Sequence, residues 1–223
     1  MKIDKLKNFI KKHYKVIIVF ICLILTLEIV YDLFAKEVML KDVLGYKFIS
    51  KYLINDTTLP IAKFITNLGG VWWLITLIII SLIICIILKR KLIGLFIVLN
   101  IMISSGLNQL LKHIVQRPRP TEYRLIDESG YSFPSGHSMV SAAVYGLFIY
   151  LIFKNVKNKY IKCFSIIALS VLIILIGGSR IYLGVHYTSD VLAGFLISIS
   201  YLVIYTSIIN DYLPNKSTKE QDN

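Results

Sequence analysis

Two histidines and one carboxylate stand out in a chain otherwise dominated by Ile, Leu and Val. His186 precedes Asp190 by four residues in SRIYLGVHYTSD (179–190), and His137 closes PSGH (134–137). If the 186–190 stretch is helical, that spacing puts both side chains on one face. If it is a loop leading into a helix, Thr188 or Ser189 caps the helix and Asp190 falls in its first turn, where the dipole favours an ionised carboxylate. In both arrangements Asp190 can hold one imidazole nitrogen of His186 and leave the other lone pair free to attack. His186 is therefore the candidate nucleophile, and Asp190 orients it. His137 is the candidate general acid for a departing oxygen and the later base for water.

Cations and backbone donors near these residues suggest what is attacked. Lys112, Arg119 and Arg180 offer a point charge and two planar forks suited to phosphate oxygens. Ser135 and Gly136 stand just before an apolar run, where the unpaired N–H groups of a helix start bind phosphate readily. Phosphoryl transfer is mostly positioning and charge stabilisation, so three cations and a helix start are a sufficient kit. No metal site and no cofactor is expected, because DxD, HExxH and carboxylate-cluster patterns are absent from these segments.

The elements that must position these groups are membrane spans. The chain has 223 residues, 56% hydrophobic and 17% charged, with a mean hydropathy of +0.70. One soluble core could not hide so much apolar surface. Six apolar runs, at 16–34, 71–88, 92–111, 138–153, 163–178 and 189–209, are long enough to read as spans. The net charge of +12 does not indicate nucleic acid, because most cations flank the runs and set orientation. The basic segment 1–15, the KRK turn (89–91) and the lysine turn (154–162) fall on one face, which the positive-inside tendency makes cytoplasmic together with both termini. The expected fold is all-α: a polytopic membrane protein with six transmembrane helices and an extracytoplasmic amphipathic segment between the first two. Residues 1–15 are a cytoplasmic basic segment, 16–209 the six-helix domain and 210–223 a polar cytoplasmic tail, disordered by composition.

The opposite face receives segments 35–70, 111–138 and 177–194. In the first, Leu40, Val43, Leu44, Phe48 and Tyr52 recur at helical spacing, as in an interfacial helix beside a lipid entrance; a plain connector fits equally. The other two hold Lys112, Arg117, Arg119, Arg124 and Arg180 on the face where orientation needs no cations, so an anionic ligand is their simplest reason. Arg117 and Arg124 are read as headgroup or loop cations. Asn100, Asn108 and Gln109 are read as interhelical hydrogen-bonding groups, with support of Lys112 as their alternative role. Glu28 should face the bundle or sit near an interface. Cys22, Cys85 and Cys163 form no disulfide framework.

Three stretches together resemble the signature of the type 2 phosphatidic acid phosphatase superfamily. KHIVQRPRP fits K-x6-R-P through Lys112, Arg119 and Pro120. PSGH fits the second motif, and SRIYLGVHYTSD fits S-R-x5-H-x3-D through Ser179, Arg180, His186 and Asp190. TNLGGVWWLI (66–75) looks similar as well. The resemblance implies a six-helix core, metal-independent phosphatase chemistry, a phosphohistidine intermediate and the residue roles given above. The compact size is similar to bacterial enzymes acting on phosphatidylglycerophosphate or undecaprenyl pyrophosphate.

The expected protein is thus a plasma-membrane lipid phosphatase. It would remove phosphate from phosphatidylglycerophosphate, undecaprenyl pyrophosphate or phosphatidate on the extracytoplasmic side, with the lipid tail held in the bilayer. Two other readings use the same cationic pocket: a catalytically idle phospholipid-binding or transport protein, and a phosphatase of a soluble ester. Binding alone needs no carboxylate-oriented histidine, which disfavours the first. The sequence assigns no oligomeric state.

Overall fold

The computed structural model describes residues 2–35 and 39–213, with side chains from residue 11 onward. Among the described residues eight helices follow one another: α1 Lys2–Ala35, α2 Leu40–Tyr52, α3 Thr58–Asn67, α4 Val71–Ile87, α5 Lys91–Val115, α6 Gly136–Asn155, α7 Lys159–Tyr182 and α8 Thr188–Tyr212. No strand occurs among the described residues. Most of the tail, from residue 214, lies outside them, so the expected disorder there has no structural counterpart.

Among the described residues five helices, within α1 and in α5, α6, α7 and α8, are long and apolar enough to cross a membrane. The remaining span is built differently from the expected continuous run 71–88. At 17 residues α4 rises only about 25 Å, short of a hydrocarbon core of roughly 30 Å. Helix α3 adjoins it across a 49° bend, and the two together are long and apolar enough for a sixth span. The bend falls at Leu68-Gly69-Gly70, and Gly70 is extended as the cap of α4. Gly69 cannot carry a side chain there, because a Cβ would lie 2.5 Å from Ile176 Cγ2. Tyr145 fixes the break by donating to the Leu68 carbonyl (2.7 Å) while accepting from Trp73 (3.0 Å).

Helix α6 is the axis of the bundle and packs against α5, α7 and α8. Its mean composition looks ordinary, but Ser138, Ser141, Ala142 and Ala143 are buried and let neighbouring backbones come close. Asn100 reaches across from α5 to the Ala143 carbonyl (3.1 Å), as the sequence suggested. Helix α1 lies outside the bundle against α8, and its Phe20, Ile24 and Leu27 are exposed in the manner of a lipid-facing surface. Glu28 is exposed too, on α1 about two turns before its C-terminal end, so it sits towards an interface and not against the bundle.

Several helices run past the expected span limits, and this matters for the site. Helix α5 continues to Val115, so Lys112 lies in its last turn. Gln116 then adopts a left-handed conformation, with Pro118 and Pro120 following, and the helix cannot continue. Helix α7 runs to Tyr182 and carries Ser179 and Arg180 on its last turns. Lys112 and Arg180 are therefore helical, not in loops. The C-terminal ends of α5 and α7 and the N-terminal ends of α6 and α8 meet at one end of the bundle, with α2 and α3 beside them.

Helix α2 confirms the helical spacing seen between spans one and two but faces opposite to a simple surface helix. Leu40, Leu44, Phe48 and Tyr52 are exposed, each by more than half of its surface, whereas Asp42 is only 3% exposed. Its apolar side points away from the protein, and its carboxylate points in.

Candidate active site

The two expected alternatives for Asp190 resolve in favour of the loop leading into a helix. Tyr187 is the cap residue of α8, and Asp190, in its first turn, accepts from the Tyr187 N–H (2.9 Å) with Oδ2. The same Oδ2 lies 3.4 Å from His186 Nδ1. His186 is 4% exposed and Asp190 fully buried. That arrangement places the Nδ1 proton towards Asp190 and leaves Nε2 as the imidazole's acceptor, which meets Arg119 Nη1 at 3.0 Å. Burial pushes the His186 imidazole down to about 4, against the upward pull of Asp190 and helped by the positive charge of Arg180 and Arg119. His186 is therefore neutral, with a usable lone pair, across the physiological range.

Arg119 is held by backbone acceptors on two sides. It donates to the carbonyls of Ser129 (2.9 Å) and Gly130 (3.0 Å), and to that of Val185 (3.0 Å) beside the histidine. Lys112 donates to the Tyr131 carbonyl. Arg180, 1% exposed, donates to Thr66 Oγ1 (2.8 Å) on α3 and to Glu128 Oε2 (2.5 Å). Glu128 also comes within 3.9 Å of Arg119. Burial would raise the Glu128 carboxyl, but Arg180 and Arg119 outweigh it and hold it below the usual carboxylate range. Glu128 was not singled out in the sequence. It is one acid in a loop, and only the fold shows that it rests on two phosphate-matching arginines.

A cavity of about 520 Å³ gathers Lys112, Arg119, Gly136, His137 and His186 with Glu128. Both imidazoles thus face one volume. Gly136 opens α6 there, and an added Cβ would lie 3.1 Å from Asn108 Oδ1. Asn108 also donates to the Pro134 carbonyl (3.3 Å), so it supports the PSGH turn more directly than Lys112. Ser135, expected as part of the phosphate cradle, is tied into the bundle by its own contacts. It is wholly buried, its Oγ is the cap of α6, bonded to Ser138 Oγ (2.9 Å), and its N–H donates to the Asp190 carbonyl (3.1 Å). Ser135 ties α6 to α8, and its polar atoms are already engaged. Of the pair, Gly136 lines the cavity.

Arg117 departs from its reading as a headgroup or loop cation. It is 3% exposed and lies between two carboxylates, bonded to Asp190 Oδ1 (2.7 Å) and Asp42 Oδ2 (2.8 Å), with its guanidinium 3.8 Å from the Tyr187 ring centre. Burial alone would lower its proton affinity; Asp190 and Asp42 more than reverse that. Arg124 is exposed and donates to the Pro120 carbonyl, as befits a loop cation.

The PAP2 superfamily pattern matches residues 93–213, more than half of the chain and all three motif stretches. The chain belongs to the PAP2 superfamily. It is 39% identical over 137 residues to phosphatidylglycerophosphatase B of Bacillus subtilis, covering 60% of this chain and 67% of that protein. It is 30% identical over 127 residues to the lipid A 1-phosphatase of Rhizobium johnstonii, spanning about half the length of that relative (48%) and 52% of this chain. The fold superposes on the crystal structure of the transmembrane PAP2 type phosphatidylglycerolphosphate phosphatase from Bacillus subtilis with a TM-score of 0.80 and 28% identity, covering 89% of this chain and 98% of that one.

Proposed function

We propose that this protein is an integral membrane phosphatase that removes a phosphate from a lipid headgroup through a phosphohistidine intermediate. One observation carries the reading. His186 Nε2 lies at 3.0 Å from a guanidinium, Asp190 stands behind Nδ1, and the same cavity holds His137 and Lys112. Binding an anion requires the cations; it does not require the oriented imidazole.

In the first step the Nε2 lone pair of His186 attacks phosphorus and an N–P bond forms. The P–O bond to the lipid breaks as His137, which takes up a proton when the anionic headgroup enters beside it, passes that proton to the leaving oxygen. Lys112, Arg119 and Arg180 balance the charge on the phosphoryl oxygens, so the chain's own cations supply what a metal would otherwise provide. Arg119 turns from Nε2 to a phosphoryl oxygen as substrate arrives, and Glu128 yields Arg180 in the same exchange. In the second step His137 takes a proton from water, the water oxygen bonds to phosphorus, the N–P bond breaks, and phosphate leaves.

The cavity has an apolar wall of Val71, Leu74 and Ile101, and Val71 is itself 69% exposed on the bundle surface. A lipid tail is accommodated there, with its headgroup reaching inward between α4 and α5. The cationic end of the bundle is extracytoplasmic and both termini are cytoplasmic, following the basic turns at the other end. Phosphatidylglycerophosphate is the first substrate to test, given the Bacillus relative, followed by undecaprenyl pyrophosphate and phosphatidate. The experiment is phosphate release by purified protein from these three lipids, with and without chelator. Release from at least one, insensitive to chelator, supports the reading; release from none, or strict dependence on a divalent ion, overturns it.

A further inference from the structure

Asp42 lies outside every signature motif, on a helix whose other face is apolar and exposed, yet it is among the most buried acids of the chain. Its two oxygens reach different parts of the site. Oδ1 accepts the Ser189 N–H (2.8 Å), an amide in the first turn of α8 that no side chain of α8 satisfies. Oδ2 accepts from Arg117 (2.8 Å), whose other arm binds Asp190 (2.7 Å) and Ser189 Oγ (2.8 Å). Gly45, one turn along α2, permits this approach: a Cβ there would stand 2.1 Å from Thr188 Oγ1.

The charges give the arrangement a consequence beyond packing. A guanidinium bonded to Asp190 opposes the negative charge with which that carboxylate holds the His186 proton and stabilises the imidazole as it turns positive. With Asp42 on its far side, Arg117 is shared between the two carboxylates, so less of its positive charge is set against Asp190 beside His186. Removing the Asp42 charge would set more of the Arg117 charge against Asp190.

We infer that Asp42 is a positioning residue for phosphoryl transfer, offsetting Arg117 so that Asp190 retains its negative charge against His186. The inference rests on the reading of His186 as nucleophile. The test uses Asp42→Asn, which keeps an oxygen for the Ser189 amide but loses the charge, together with Arg117→Gln and the charge-balanced Asp42→Asn/Arg117→Gln. Wild type and His186→Ala are assayed beside them on whichever lipid the wild type turns over fastest.

Asp42→Asn should lower kcat by about tenfold or more, within the range that acid–base support contributes, with KM little changed. The double variant should recover a substantial part of that loss, whereas a merely structural role predicts a double variant worse than either parent. If Asp42→Asn does not fold, the double variant decides alone: turnover within about tenfold of wild type supports the proposal, and a folded but inert protein overturns it. An Asp42→Asn protein that melts earlier yet turns over normally per folded molecule also overturns it. Activity in His186→Ala would instead mark the nucleophile assignment as the failure.

Discussion

Arg119 Nη1 lies 3.0 Å from His186 Nε2, so a guanidinium engages the one nitrogen whose lone pair faces the cavity. The contact requires a neutral histidine, because an imidazolium would present a second donor to a cation. It also marks where a phosphoryl oxygen must arrive, since Arg119 can serve that oxygen only by turning away from the ring.

Arg119→Lys should therefore be far from conservative. Lysine keeps the charge but cannot hold the Ser129, Gly130 and Val185 carbonyls while also reaching the oxygen. We expect kcat/KM to fall by roughly a hundredfold, as for loss of one oriented oxyanion donor, measured by steady-state phosphate release.

The protonation state of His186 can be read without substrate. It faces Asp190 on α8, Arg180 on α7, and Arg119 in the loop after α5; Lys112 on α5, Glu128 and His137 surround the same volume. Its proton affinity is lowered to about 4, so the ring is neutral above that pH and becomes charged only as pH falls through it. Nitrogen-15 NMR of histidine-labelled protein, assigned with His186→Gln, should show this ring still neutral at pH 5. A midpoint near the ordinary histidine value would contradict the buried, cation-flanked setting.

In the proposed mechanism Glu128, which accepts from Arg180, competes with the phosphoryl group for it. Glu128→Gln should tighten inhibition by vanadate, a mimic of the phosphoryl transition state, by roughly three- to tenfold. Unchanged or weaker inhibition would show that the carboxylate does not occupy the anion's place.

Arg117 should matter to the fold as well as to the rate. Arg117→Met leaves Asp42 and Asp190 buried without their shared cation, and breaking such a buried pair costs about 3 to 5 kcal/mol. A thermal melt in detergent should show a large loss of stability, and one unaffected by the substitution would contradict the buried network.

Much of this was legible in the sequence, because membrane spans and short motifs are local signals. The long apolar runs gave the bundle, and the 186–190 spacing gave the pairing of His186 with Asp190. Arg117 and Asp42 were not legible, since each has meaning only through the other across 75 positions, and α2 reads as a lipid-facing helix by its exposed side. Ser135 was assigned to phosphate because its type and place suit a helix start. The structure shows that capping α6 and holding Asp190 already use its polar atoms. The bent pair α3 and α4 escaped for a related reason: two glycines mark a break, but not that helix continues on its far side.

The N–P bond proposed at His186 can be trapped directly. Wild-type protein mixed with its lipid substrate, quenched in alkali within the first turnover and analysed by mass spectrometry of its peptides, should carry a phosphoryl group on His186, absent from His186→Ala. A phosphoryl group on another residue, or full turnover by His186→Ala, would contradict it.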